Sequence, residues 1–463
     1  MRARFTDDHV APALIFIVLG GLACVTPAQN DTWWHLRSGQ QMWQTGWFLL
    51  TEPFSHTANG AELHNHWWIS QLAFYGVYSL GGPFLLSLFA GACALAAVLG
   101  SWSLMRGPWE LRVALLAWLI VVTVPEWSVR PQVVSLALLV LASHLIVRNR
   151  AEWLPAMCVV WANTHGMVVF GIALGGALLA DALLWSRTEW RRAAAIAAAC
   201  AAAPLISPLG LSYWPQVLET VSVSRELQIQ EYRMPFTTAD FPFWLGLAAF
   251  IVVLMRCKRA PRELPRADRV LALAGLVLAG AAVMASRNIA FFAVVAAPAL
   301  SRLWPATVRR AARPAGVAAW GLATAAMIAA AAVVLLQWRG NVARLGWEPM
   351  TRETVRAVAY CPDPIFNHLE DGGFLMWALP DRRIFVDSRM EAYPLTLLRR
   401  SRDADLNGEY VDLFRDYRIR CAVTTTGSVL QQRLTSDPAM RVVHADERHT
   451  VFSRSSTQAS TGR

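Results

Sequence analysis

The chain has 463 residues, 55% of them hydrophobic and only 16% charged, with positive mean hydropathy. That balance excludes an ordinary soluble globular protein and implies a polytopic membrane protein. The net charge of +10 does not point to nucleic acid, because the cations gather in alternate loops, as the positive-inside rule requires of a membrane protein.

A span needs roughly 20 mostly apolar residues, and by that criterion about eleven such runs recur between residues 10–28 and 316–336. Arg2 and Arg4 place the N-terminus inside. The same side takes Arg106 and Arg112, Arg148 and Arg150, Arg187, Arg191 and Arg192, the run 256–269, and Arg309, Arg310 and Arg313. The loops between carry only Arg37, Arg130, Arg225, Arg233 and Arg287, so an odd number of spans leaves the C-terminal region outside. A secretory signal, suggested by Met1-Arg2-Ala3-Arg4 and Thr26-Pro27-Ala28, is disfavoured by the proline near the cut and by the charge alternation.

Residues 28–82 read as a long first external loop. It contains Asn30-Asp31-Thr32-Trp33-Trp34-His35-Leu36-Arg37-Ser38-Gly39, Thr51-Glu52-Pro53-Phe54-Ser55 and Asn65-His66-Trp67-Trp68-Ile69-Ser70-Gln71. Within it, 67–78 has helical apolar spacing flanked by aromatics, which predicts a helix at headgroup level. Spans follow near 84–104, 113–124, 133–147, 153–160, 167–184 and 193–205. A second external loop, 207–240, carries Glu231-Tyr232-Arg233, and 243–254, 270–284, 289–300 and 316–336 complete a transmembrane domain over 1–337.

From about Trp338 charge rises and long apolar runs stop, so 338–455 reads as a small soluble extracytoplasmic α/β domain. Strands are predicted at 383–387, 419–424, 441–444 and 450–452, and helices at 409–417 and 428–434. The polar tail 456–463 reads as disordered. Cys361 and Cys421 both fall in this domain, where a disulfide is permitted but not dictated; the other cysteines show no metal-binding spacing.

Asp31 is the first catalytic candidate, since a carboxylate at the external face can deprotonate an acceptor hydroxyl; a helix cap is the bland alternative. His35 lies one helical turn on and can face the same site, or it is a solvated interfacial histidine. Glu231 could supply a second acid, or be a solvated loop carboxylate. No external Asp-x-Asp indicates a metal; Asp31, Glu231 and His35 leave a divalent ion such as Mg or Mn open, with no cofactor firmly indicated.

Arg130 and Arg287 sit at span boundaries, where charge is costly unless used, and suit a lipid-phosphate leaving group; snorkelling is the alternative. Asn163 and His165 interrupt an apolar stretch and either bind the same head group or end a helix. His66 in the first loop, Glu370 and Asp371 in Asn367-His368-Leu369-Glu370-Asp371-Gly372-Gly373, and Asp387 and Arg389 after the 383–387 segment suit acceptor binding or docking, or shape turns.

Together, Asp31-Thr32-Trp33-Trp34-His35-Leu36-Arg37-Ser38-Gly39 with Pro53-Phe54-Ser55 and Gly60 resembles the first external loop of bacterial membrane proteins of the C-type glycosyltransferase superfamily, GT-C. Arg130-Pro131-Gln132, Trp161-Ala162-Asn163-Thr164-His165-Gly166, Glu231-Tyr232, Glu370-Asp371-Gly373 and Asp387-Ser388-Arg389 resemble further landmarks of one branch, in order over most of the chain. The resemblance implies a multi-pass protein of the bacterial inner membrane that moves a sugar from a polyprenyl-phosphate donor to a glycan, lipid or protein acceptor outside. The first-loop acid acting as base then maps onto Asp31. Glu370-Asp371-Gly372-Gly373-Phe374 is faintly similar to the Trp-Trp-Asp-Tyr-Gly segment of oligosaccharyltransferases but lacks its aromatics, so peptide-sequon recognition is not implied. Glu52 stands where the superfamily more usually has Asp. The alternative to an enzyme is a non-catalytic transporter or an envelope assembly or binding protein, against which stand the absence of an internal repeat and the scarcity of acids within spans apart from Asp181.

Overall fold

A computed structural model describes residues 7–257, 260–304, 317–340 and 342–455. Arg2, Arg4, Arg309, Arg310, Arg313, part of the 256–269 run and the tail 456–463, all used in the sequence reading, lie outside the described residues.

In chain order the helices are α1 (Asp7–Ala23), α2 (Asn30–Thr45), α3 (Trp68–Leu104), α4 (Trp109–Thr123), α5 (Pro131–Val147) and α6 (Leu154–Ala162). There follow α7 (Val169–Trp185), α8 (Trp190–Ala202), α9 (Tyr213–Glu226), α10 (Phe241–Arg256), α11 (Arg266–Met284), α12 (Ile289–Leu303) and α13 (Val317–Gly340). Then come α14 (Arg352–Tyr360), β1 (Ile365–Asn367), α15 (Leu369–Ala378), α16 (Leu395–Asn407), α17 (Val411–Asp416), β2 (Cys421–Thr425), α18 (Val429–Thr435), β3 (Met440–Ala445) and β4 (His449–Arg454).

Every apolar span read from the sequence is helical over most of its described length; the first, read as 10–28, ends its helix at Ala23. Among the described residues, four helices are long and apolar enough to cross a membrane: Trp68–Leu104, Gly166–Trp185, Thr238–Arg256 and Arg266–Met284. The number becomes five if the bent pair Arg187–Leu205 and Gly210–Glu226 counts as one span, and shorter apolar helices accompany them. The 67–78 segment is the start of α3. That helix breaks at Gly81 and Gly82, the latter at φ 61°, a conformation open to glycine, and Pro83 restarts it.

The chain divides into two compact units, Met1–Pro27 with Val77–Tyr213 and Gln228–Leu345, and Ala28–Gly76 with Trp214–Leu227 and Gly346–Arg463. The first is the helical bundle. Its centre is α12, buried along its whole length and packed by α4, α5, α10 and α11, as expected of a helix that is apolar on every side. Charges inside the bundle are paired, as burial demands. Arg269 binds Asp181 (2.5 Å), and Arg302 binds Asp268 (2.6 Å). Arg266, Asp268 and Arg269 therefore open α11 rather than form the solvated loop expected there.

The second unit carries a four-stranded mixed sheet in the order β1-β2-β4-β3, with β1 and β2 parallel and the other pairs antiparallel. Cys361 and Cys421 form a disulfide with a Cα–Cα distance of 5.8 Å. The predicted strands at 419–424, 441–444 and 450–452 become β2, β3 and β4. Residues 383–387 do not join the sheet, which corrects the sequence reading: Ile384 instead bridges to Ser55. Its N–H donates to the Phe54 carbonyl (3.0 Å), and the Thr57 hydroxyl donates to the Phe385 carbonyl (2.5 Å). The backbone groups that a sheet would satisfy are taken by the 54–57 loop.

Candidate active site

In the second unit, α2 begins with Asn30 Oδ1 accepting the Asp31 N–H (2.9 Å) and Thr32 Oγ1 accepting the Gln29 N–H (2.9 Å). This leaves the Asp31 carboxylate in the first turn, where the helix dipole favours negative charge. The Ser388 hydroxyl donates to Asp31 Oδ1 at 2.6 Å, and the Trp34 indole N–H donates to the same oxygen at 3.2 Å. Two donors from different parts of the unit thus fix one carboxylate oxygen.

Close backbone approaches place these groups. A Cβ on Gly39 would lie 2.1 Å from the Gln71 carbonyl oxygen, and one on Gly373 would lie 2.7 Å from that of Asn30. In the Glu370-Asp371 motif, Gly373 is therefore where α15 meets the start of α2, and Gly372 is where it meets Val386 and Asp387. Glu370 is exposed, and Asp371 faces His449 (3.2 Å).

His35 is buried, its ring tilted against Trp34 (3.5 Å between centroids) and edge-on to Trp67 (6.1 Å) and Phe74 (6.2 Å). His66 is buried against Trp67 (3.8 Å). Burial drives its pKa down to about 3, partly offset by a backbone hydrogen bond to His64, so the ring is neutral.

Asp387 and Arg389 form a fully buried fork. Asp387 accepts Arg389 Nε (2.8 Å) and Nη2 (2.6 Å) and the Tyr393 hydroxyl (2.7 Å). Arg389 Nη1 reaches Glu52 Oε2 at 2.6 Å. The other oxygen of Glu52 accepts the Phe54 (2.7 Å) and Ser55 (2.8 Å) N–H groups. Both charges of the expected docking pair are thus engaged inside the unit, and Glu52 shapes the loop that holds residues 384–385.

Beside this fork, Glu391 has Oε1 buried without a hydrogen-bond partner among the described residues. Burial raises its pKa to about 7. The charges of Asp387 and Asp31 add to that rise, while its own backbone N–H and Arg389 oppose it. The sequence reading missed Glu391, Trp34 and Ser388 as site residues. Ser388 lay within a quoted motif, but its partner is 357 positions away.

In the first unit, Arg130 at the start of α5 reaches Glu231 Oε2 at 3.1 Å, and Arg287 reaches Glu231 Oε1 at 3.1 Å. One carboxylate bridges two guanidinium groups. Arg130 also donates to Gln132 (3.2 Å), whose amide donates to Glu126 (3.0 Å), and Arg287 lies over the Tyr232 ring (4.6 Å). His165 and Trp161 both bond the Ser135 hydroxyl (2.9 and 2.8 Å). Asn163 donates to the Val159 and Ile206 carbonyls (2.8 Å each). Among the described residues no three His, Cys, Asp or Glu side chains converge as metal ligands.

No family model matches the chain, and no curated protein does. Among solved structures, ArnT from Cupriavidus metallidurans bound to undecaprenyl phosphate matches over 97% of this chain and 97% of its own, at 15% identity and TM-score 0.52. The archaeal oligosaccharyltransferase AglB from Archaeoglobus fulgidus, in complex with an inhibitory peptide and a dolichol-phosphate, matches 90% of this chain and 69% of its own, at 12% identity and TM-score 0.55. The chain shares its fold with these two proteins, a bundle of apolar helices of membrane-spanning character with a small C-terminal mixed sheet.

Proposed function

We propose that the protein is an inverting glycosyltransferase that moves a sugar from a polyprenyl-phosphate donor to an acceptor hydroxyl at the extracytoplasmic face of the bacterial inner membrane, with its N-terminus inside and its C-terminal domain outside. The observation that carries this reading is the Asp31 carboxylate, fixed by Ser388 and Trp34 at the head of α2. The two neighbours in which a polyprenyl or dolichol phosphate is bound supply the donor class by analogy of fold.

In this reading the acceptor oxygen bonds to the anomeric carbon as the bond from that carbon to the phosphate oxygen breaks. The hydroxyl proton passes to Asp31, and polyprenyl phosphate departs with the electron pair of the broken bond; in the first unit, the charges of Arg130 and Arg287 suit a phosphate. A hydrogen-bonded, partly desolvated carboxylate suits the base, and paired arginines suit the phosphate.

The test is transfer of radiolabelled sugar from a panel of polyprenyl-phosphate donors to endogenous acceptors, in membranes with wild type or Asp31→Asn at matched expression. Loss of label in the variant, by about 10²-fold or more, supports the reading. Label equal to that of vector-only membranes favours a non-catalytic transporter or binding protein. Transfer unchanged by the substitution removes Asp31 as base.

A further inference from the structure

Within the second unit an open groove of about 560 Å³ runs between α17 and the sheet, a size in the range of small-ligand sites. Three arginines on it, Arg418, Arg420 and Arg454, are exposed and make no ion pair among the described residues. Their convergence is built by the backbone. Arg418 occupies a left-handed turn (φ 53°) after α17. The Arg454 N–H donates to the Arg420 carbonyl (2.8 Å), which extends the antiparallel β2–β4 register by one pair. Residues directly opposite on adjacent strands present side chains on one face, and like charges so placed destabilise a sheet. Arg420 and Arg454 therefore carry a repulsion that a bound anion removes.

The groove lining also holds aromatic groups and an acceptor. Tyr410 and Phe414 pack edge to face at 5.1 Å. The Tyr410 hydroxyl donates to Asp437 Oδ2 (2.7 Å), and the Ala439 N–H donates to Asp437 Oδ1 (2.8 Å). A fixed carboxylate repels a bare polyphosphate but accepts from hydroxyl groups. A concave site with aromatic walls also disfavours a flat lipid surface.

We propose that this groove binds an anionic saccharide, its carboxylate held by the Arg418, Arg420 and Arg454 forks and its hydroxyls by Asp437 against the Tyr410 face. The proposal is independent of sugar transfer.

The full-length protein in detergent is titrated with an oligogalacturonate tetramer, neutral maltotetraose, inorganic phosphate and vesicles of anionic phospholipid. The expected result is binding of the acidic tetramer at least about tenfold tighter than of maltotetraose or phosphate. That binding is expected to weaken about tenfold in Arg420→Gln and in Arg454→Gln and to be unchanged in Arg352→Gln, a charge control outside the groove. Arg420→Gln is also expected to keep or raise the ligand-free melting temperature, which shows that the variant folds. Equal binding of neutral and acidic tetramers, binding of phosphate or vesicles alone, no binding, or indifference to both groove substitutions would each overturn the proposal.

Discussion

The Ser388 hydroxyl donates to Asp31 Oδ1 at 2.6 Å, across 357 positions of chain. A hydrogen bond to an ionised group contributes about 1.5–3 kcal/mol, and about 1.4 kcal/mol is a factor of ten in rate. If Asp31 is the base, Ser388→Ala lowers transfer by about tenfold while Asp31→Asn lowers it further, and the two effects are not additive. Initial rates of label transfer for both single variants and the double variant check this, with additive losses counting against a shared role.

Arg389 is a fully buried cation of the second unit held by two carboxylates, forked onto Asp387 and reaching Glu52. Removing one partner of a buried ion pair costs about 3–5 kcal/mol because the other charge is left unpaired. Arg389→Ala is therefore expected to unfold the second unit early in thermal or denaturant titration. Arg389→Lys is expected to rescue it only in part, since an ammonium cannot reproduce the planar fork. A melting curve indistinguishable from wild type would show that Arg389 does not hold the 384–385 segment to its loop.

How far the molecule was legible from its sequence differed by the range of the interaction. The apolar segments were readable because span length and hydropathy are local properties, and the 67–78 helix because its apolar spacing is local too. The 383–387 segment misled because Ile384-Phe385-Val386 has the same apolar signature whether its backbone pairs with a sheet or, as here, with the Phe54–Thr57 loop. β1 is only three residues long, too short to leave a periodic signal. Asp31, Arg130, Arg287 and Glu231 were singled out by residue type and by their place outside or at the ends of apolar runs. That Glu231 bridges both arginines, or that Ser388 reaches Asp31, depends on non-local folding that no spacing rule encodes.

Glu391 makes stability depend on pH. Its folded pKa of about 7 lies above its ordinary value of 4.5, so the folded state binds the proton more tightly. The stability it contributes is complete below about pH 4.5 and is lost as pH rises through 7. Asp405, raised from 3.8 to about 6 mainly by burial, acts in the same sense. His66, lowered from 6.5 to about 3, acts oppositely, contributing stability above 6.5 that is lost as pH falls. The difference between wild type and Glu391→Gln isolates the first of these. The two proteins are expected to melt alike near pH 4.5 and the variant to melt higher at pH 8; parallel curves would refute the assignment.

Glu231 bridges Arg130 and Arg287 at 3.1 Å each, so its loss does not act on two independent contacts. With the carboxylate gone, two largely buried guanidiniums lose the charge that bridges them and keep only weaker interactions such as that with Glu126, and the cost exceeds that of removing either arginine. Residues in one ion-pair network show coupling energies of about 0.5–3 kcal/mol. Glu231→Gln and Arg287→Gln are therefore each expected to lower stability, whereas the double variant falls by clearly less than their sum, because Arg130 alone no longer repels a neighbour. Thermal unfolding in detergent for the four proteins of the cycle measures this, and strict additivity would mean that the bridge contributes nothing in solution. If the arginines also meet the departing phosphate, transfer is expected to fall in Arg287→Gln even where the double variant has recovered stability. That separates their part in the reaction from their part in the fold.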